Sequence, residues 1–184
     1  MNRKTRLNRL RKLRHIMLNH DRVFVPGNKD NANGKVLFDI NTWGEELTRQ
    51  RARVSHCNTA ACALGSAGLY KPFRRAGLKT DPSMCMAVTY REPGARASFR
   101  ELGFSAGEKF FGISRHESHF LFDPSYYYAR QKPFMPQGLA AKALFLPGTG
   151  NGFRPRHKVL PKHVAARVAQ LIKHYSKHDE PLAL

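Results

Sequence analysis

Hydrophobic positions recur with a helical period at both ends of the chain and less regularly between them. In residues 3–19, Leu7, Leu10, Leu13 and Met17 fall within a stripe of about 120° when laid out at roughly 100° per residue. That spacing predicts an amphipathic helix. Arg6 and Arg14 share its apolar sector, so their side chains must snorkel outward or reach a partner. Near the other end, Val164, Val168, Leu171, Ile172 and Tyr175 repeat at helical spacing behind Pro161, a residue suited to a first turn. Lys173, His174, Lys177 and His178 gather toward the C-terminal end of that helix, where its dipole favours cations.

The middle of the chain is read from turn signals and caps. Residues 26–34 are loop by composition, and Val36 to Ile40 form a short extended segment leading to Trp43, the only tryptophan and an expected core anchor. Asn58 or Thr59 is placed to cap a helix running to about Tyr70. Ala60, Ala61, Ala63, Gly65, Ser66, Ala67 and Gly68 leave that helix almost no bulk, and such a sequence suits a central helix that another element approaches closely. Met84 to Tyr90 suits a strand ended by Pro93-Gly94. Ser105 with Glu108, and Ser114 with Glu117, have the spacing of capping boxes opening two short helices, the second closed at Asp123-Pro124. Residues 130–158, rich in Pro and Gly, predict an extended connection. No internal repeat is present.

Charge changes the picture most. Thirty-two Lys and Arg against thirteen Asp and Glu give +19 over 184 residues, which attracts polyanions. Seven of the first fifteen residues are basic and none is acidic, so an isolated helix there would repel itself. It needs either docking onto the body or an anionic partner. No apolar run is long enough for a membrane span, and the basic N-terminus lacks the apolar stretch of a secretory signal. Three cysteines do not make a disulfide framework, so a reducing cytoplasm is expected.

Three chemistries compete for the unusual residues. Cys57 and Cys62 with His56, Cys85, His116 and His119 supply enough nitrogen and sulfur for tetrahedral zinc, although the Cys spacing is at the edge of the usual range. Cys62 would fall in the first turn of the small-residue helix, where the dipole activates a thiol, and His116, His119 or His157 could serve as base for a hydrolase. Buried cysteine is also simply a small hydrophobe. Polyanion binding fits more of the chain. The N-terminal run, the Arg49 to Arg53 cluster, Lys71 with Arg74 and Arg75, and Arg154 to Lys158 spread charge in the manner suited to backbone phosphates. Tyr126, Tyr127 and Tyr128 beside Arg130 and Lys132 read either as a hinge or as a stacking platform for unpaired bases.

The order of the motifs carries a resemblance. Phe38-Asp39-Ile40-Asn41-Thr42-Trp43, then Cys57-Asn58-Thr59-Ala60-Ala61-Cys62-Ala63-Leu64-Gly65-Ser66-Ala67, then Ala106-Gly107-Glu108-Lys109-Phe110-Phe111-Gly112-Ile113-Ser114 and Leu121-Phe122-Asp123-Pro124 follow a Leu-rich first helix and precede Val164-Ala165-Ala166-Arg167-Val168. This order resembles a group of small bacteriophage and prophage proteins with a Cys-Gly-Thr-x-x-Cys-x-x-Gly-x-Ala pattern, over most of residues 5–172. Asn58 stands where that pattern has Gly, and Ser66 where a Trp is common. The resemblance implies a phage or prophage setting and a small, mostly helical fold, and it implies no reaction and no cofactor.

The expected molecule is therefore α+β and mainly helical, with one or two short strands. It comprises a basic amphipathic helix over 1–20, a core over 21–130, a connection over 131–160 and a C-terminal helix over 161–178. The expected function is that of a small phage-type accessory protein in the host bacterial cytoplasm, without catalysis or cofactor, binding nucleic acid, a ribosome or a nucleoprotein complex. Contacts are assigned to Arg3, Lys4, Arg6, Arg9, Arg11, Lys12, Arg14, Arg49, Arg51, Arg53, Arg74, Arg75, Arg154, Arg156 and Lys158. The alternative is a factor acting on an acidic host protein, with charge used for steering; a zinc-stabilised module and a Cys-dependent hydrolase rank behind both.

Overall fold

The computed structural model describes residues 1–31, 36–38, 45–46, 59–81, 87–94, 100–123 and 159–182. Its first element, α1 (Arg3–Leu18), begins at Asn2, whose side-chain oxygen accepts from the Thr5 amide at 2.9 Å. Leu10, Leu13, Ile16 and Met17 of α1 are buried. Leu7 is only half-buried, so the inward arc is rotated from the stripe of Leu7, Leu10, Leu13 and Met17 toward Ile16. A single turn, α2 (His20–Val23), follows directly.

Three short strands come next: β1 (Val36–Phe38), β2 (Glu45–Glu46) and β3 (Thr59–Ala61). β3 is central, pairing parallel with β1 through Val36 and Thr59 and antiparallel with β2 through Glu45 and Ala60. The small-residue helix, α3 (Ala63–Leu69), therefore starts later than its sequence suggests. Thr59 to Ala61 spend their backbone groups in two ladders, and that pairing overrides the weak strand preference of alanine. Cys62 becomes the cap, its Sγ accepting from the Gly65 amide at 3.4 Å.

Every residue of α3 is buried, as a central helix requires. The small side chains admit β4 (Leu78–Asp81): a Cβ on Gly68 would lie 3.1 Å from the Thr80 nitrogen and 3.2 Å from the Lys79 carbonyl carbon. Between them runs α4 (Lys71–Arg75), with Pro72 in its first turn. It is capped by Ala76 and followed by Gly77, whose φ of +99° suits glycine and where a Cβ would overlap the Arg91 carbonyl oxygen. β4 pairs antiparallel with β5 (Ala87–Tyr90), and β5 with β6 (Glu101–Leu102).

The helix α5 (Gly103–Phe111) begins at Leu102, not at the Ser105 capping box. β6 delivers the chain straight into the helix, which leaves Ser105 exposed inside the first turn. The second box holds. In α6 (Arg115–Phe122), Ser114 Oγ accepts from the Glu117 amide at 3.2 Å, and Glu117 Oε2 accepts from the Ser114 amide at 2.7 Å. Last comes α7 (Pro161–Tyr175), with Val164, Val168, Leu171 and Tyr175 buried and Ile172 half-buried.

The class is α+β and mainly helical, with six short strands among the described residues. Phe73, Tyr90, Phe110 and Phe111 interlock edge to face at centroid distances of 4.9–5.7 Å, beneath α1 and beside α3. The two terminal helices, α1 and α7, pack on each other. Trp43, Cys57 and Cys85 lie outside the described residues.

Candidate nucleic-acid interface

α1 is docked, and docking sorts its basic residues into two rows. Arg3, Arg6 and Arg9 fall on the inward arc. The Arg3 Nε donates to the Tyr175 carbonyl at 2.7 Å and stands 3.5 Å from the Asp179 carboxylate. Arg6 lies 4.2 Å over the Tyr175 ring and donates to the Asp179 carbonyl at 2.8 Å. These two guanidinium groups thus sit at the C-terminal end of α7, where unsatisfied carbonyls and the helix dipole attract cations. Arg9 stacks 4.1 Å over Phe110 and donates to the Phe110 carbonyl.

The docking site is itself tied down by a buried carboxylate. Glu117 Oε2 accepts from the Tyr175 hydroxyl at 2.6 Å, and Oε1 accepts from the Leu182 amide at 3.0 Å. Burial, and then the bond to Glu117, push the Tyr175 phenol well above its ordinary range, so it stays a donor.

Lys4, Arg11, Lys12 and Arg14 form the outer row, and all four are exposed. Arg14, which shares the apolar sector on paper, has turned outward because the buried arc is centred closer to Ile16. α1 contains no Asp or Glu to offset these charges.

One flank of α1 faces α4 across a groove of about 300 Å³. Lys4, Thr5, Asn8, Arg9 and Lys12 form one wall; Pro72, Phe73 and Ala76 form the other, with Phe110 between. Three cations, two neutral polar side chains and no carboxylate suit an anion. Arg75 is exposed and Arg74 half-buried. Helical spacing puts Arg75 on the flank of α4 nearer Pro72 and Arg74 on the far side. The short helix that carries Arg74 and Arg75 thus forms the opposite wall, although neither arginine lines the groove. Arg49, Arg51, Arg53, Arg154, Arg156 and Lys158 lie outside the described residues, as do Tyr126 to Tyr128.

Thr5, Asn8, Pro72, Phe73, Ala76 and Phe110 are the members of this groove that sequence reasoning did not find. The i, i+4, i+8 recurrence of Lys4, Asn8 and Lys12 was a usable signal. The α4 wall had none, because it depends on where the chain folds back.

The thiol and histidine chemistry looks different in three dimensions. Cys62 is 2% exposed and serves as the α3 cap instead of occupying its first turn. His116 is exposed, whereas His119 bonds Asp123 at 3.1 Å and packs 4.3 Å from the Phe104 ring. Among the described residues no three His, Cys, Asp or Glu side chains gather as metal ligands; His56, Cys57, Cys85 and His157 lie outside them.

A buried His–Ser pair was not anticipated. His20 Nε2 lies 3.2 Å from Ser66 Oγ, with Phe24 and Phe38 rings against the imidazole. Burial lowers the His20 pKa to about 4, against the opposing pull of Asp21, so the ring is neutral near pH 7. Ser66 is fully buried, which makes this pair a core hydrogen bond and not a nucleophile open to substrate.

No helix among the described residues is long and apolar enough to cross a membrane. Comparison of the chain with protein-family models, with curated proteins and with solved structures finds no match.

Proposed function

We propose that this chain is a small, basic, phage-type accessory protein that binds a polyanionic partner in the host bacterial cytoplasm without catalysis. The partner is nucleic acid, alone or within a ribosome or other nucleoprotein complex. One observation carries the reading: α1 spends three arginines on holding itself to the body and displays four other cations, with no carboxylate among its own residues. A docked helix presents those charges at fixed spacing, so less ordering entropy is lost on binding than for a loose arm. Contacts of this kind go to phosphates and make affinity salt-dependent.

The test is equilibrium binding of nuclease-treated protein to a labelled duplex and a labelled single strand across a salt series. Replacing Lys4, Arg11, Lys12 and Arg14 by Gln together should reduce the slope of log K against log salt by about 3 on the single strand and by about 3.6 on the duplex. An unchanged slope removes the outer row from the interface. Weak binding of the native protein to both probes, with a stoichiometric acidic protein retained after nuclease treatment, would replace this reading by protein-directed action.

A further inference from the structure

The groove between α1 and α4 differs from the rest of the outer row. Arg11 and Arg14 stand on open helix surface, whereas Lys4 and Lys12 flank a recess with an apolar far wall. We propose that this recess is a seat for an unpaired nucleic-acid strand, with phosphates along the Lys4–Asn8–Lys12 ridge and a base inserted against Arg9. The inference rests on the nucleic-acid reading above and specifies the form of the ligand.

Three features support it. First, residues four apart on a helix are separated by about 6 Å along its axis. Lys4, Asn8 and Lys12 thus offer cation, amide and cation at nearly even steps, comparable to successive phosphates of an extended strand. Second, Arg9 lines the recess while its guanidinium lies 4.1 Å over the Phe110 ring and donates to the Phe110 carbonyl. A planar cation already supported from below provides a stacking surface for a base. Third, Pro72 and Ala76 supply an apolar face opposite that cation. The volume of about 300 Å³ is at the small end of ligand sites, suited to a single ring system. A base inside a duplex has both faces already stacked and cannot enter without being flipped out. The groove should therefore favour single strands.

Two charge-matched variants and one neutral variant test this. Lys4→Gln with Lys12→Gln removes the groove cations; Arg11→Gln with Arg14→Gln removes the same charge from open surface; Ala76→Leu fills the recess with no change of charge. Binding is measured with labelled oligothymidylate, oligouridylate and a duplex of equal length, and circular dichroism melting checks that each variant folds. The expected result is that the groove pair and Ala76→Leu lower single-strand affinity by about tenfold or more beyond their effect on duplex, while Arg11→Gln with Arg14→Gln weakens both ligands alike. Equal losses for the two charge pairs on both ligands, with Ala76→Leu silent, would overturn the groove and leave the outer row as a plain phosphate-binding face. Failure of the native protein to bind any of the three probes would overturn the nucleic-acid reading together with it.

Discussion

Arg6 and Lys12 lie on one helix, carry one charge each and come from the same basic run, yet the fold uses them in opposite ways. Arg6 lies over a buried tyrosine and reaches a carbonyl beyond the end of α7; Lys12 stands exposed at the lip of a groove. The inner row of Arg3, Arg6 and Arg9 behaves as packing, with flat guanidinium groups laid on rings and carbonyls. The outer row of Lys4, Arg11, Lys12 and Arg14 behaves as surface. A net charge of +19 therefore overstates what is available to a partner. A guanidinium held against rings and carbonyls of the body is less free to turn toward a phosphate than a cation standing in solvent.

The coarsest way to break this comparison is to remove both rows together. Deleting residues 1–15 takes away Leu10 and Leu13, each fully buried, along with the arginines that hold α7. We expect loss of the cooperative thermal transition, since Leu13→Ala alone should cost about 2–5 kcal/mol. A truncated chain that still melts sharply would mean α1 is an appended arm. The milder Leu13→Ala variant keeps the test quantitative if the truncation does not fold.

Acid probes the interior next. The inner arginines are compensated, whereas His20 sits neutral among Phe24, Phe38 and Ser66. Its folded pKa of about 4 lies below the unfolded value of 6.5, so the unfolded chain binds the extra proton between those limits. The stability that neutral His20 contributes is complete above pH 6.5 and is lost as pH falls toward 4, by at most about 3 kcal/mol. Urea unfolding of the native protein and of His20→Gln across that range should show a smaller pH slope in the variant. Equal slopes would mean that other groups account for the acid sensitivity.

How much of this was written in the sequence follows from what each feature depends on. The terminal helices and the Ser114–Glu117 box depend on neighbours within a few residues, and they stand where the pattern puts them. The start of α3 depends on β3 being claimed by β1 and β2 from elsewhere in the chain, and local cap chemistry pointed to Asn58 or Thr59 instead. Gly68 and its small neighbours did announce a close approach, but not that β4 makes it. The basic run was plain in the sequence; its division into two rows was not. That division is set by Tyr175, Asp179 and Phe110, all more than 100 positions away.

The hydroxyl of Tyr175 separates the carboxylate knot from the arginine stack above it. Tyr175→Phe keeps the ring beneath Arg6 and removes one donor from fully buried Glu117. A loss of about 1–3 kcal/mol is expected, with the salt dependence of nucleic-acid binding unchanged. A loss well below that range would show that Ser114 and Leu182 alone satisfy the carboxylate.

The smallest effects sharpen the comparison most, because they separate it residue by residue. Arg6→Gln removes a cation from the Tyr175 ring and a charge-assisted bond to Asp179, so stability should fall by about 1–2 kcal/mol. The salt slope should hardly move, since this guanidinium is occupied within the fold. Arg11→Gln should do the reverse. An exposed substitution on a helix surface leaves stability within about 0.5 kcal/mol, whereas one lost phosphate contact lowers the duplex salt slope by about 0.9. Opposite responses in melting and in salt titration would establish that one basic helix carries a structural row and a binding row. If both variants lowered the slope equally with no change in stability, the inner contacts would be too weak to withhold Arg6 from a polyanion, and the basic run would act as one undivided surface.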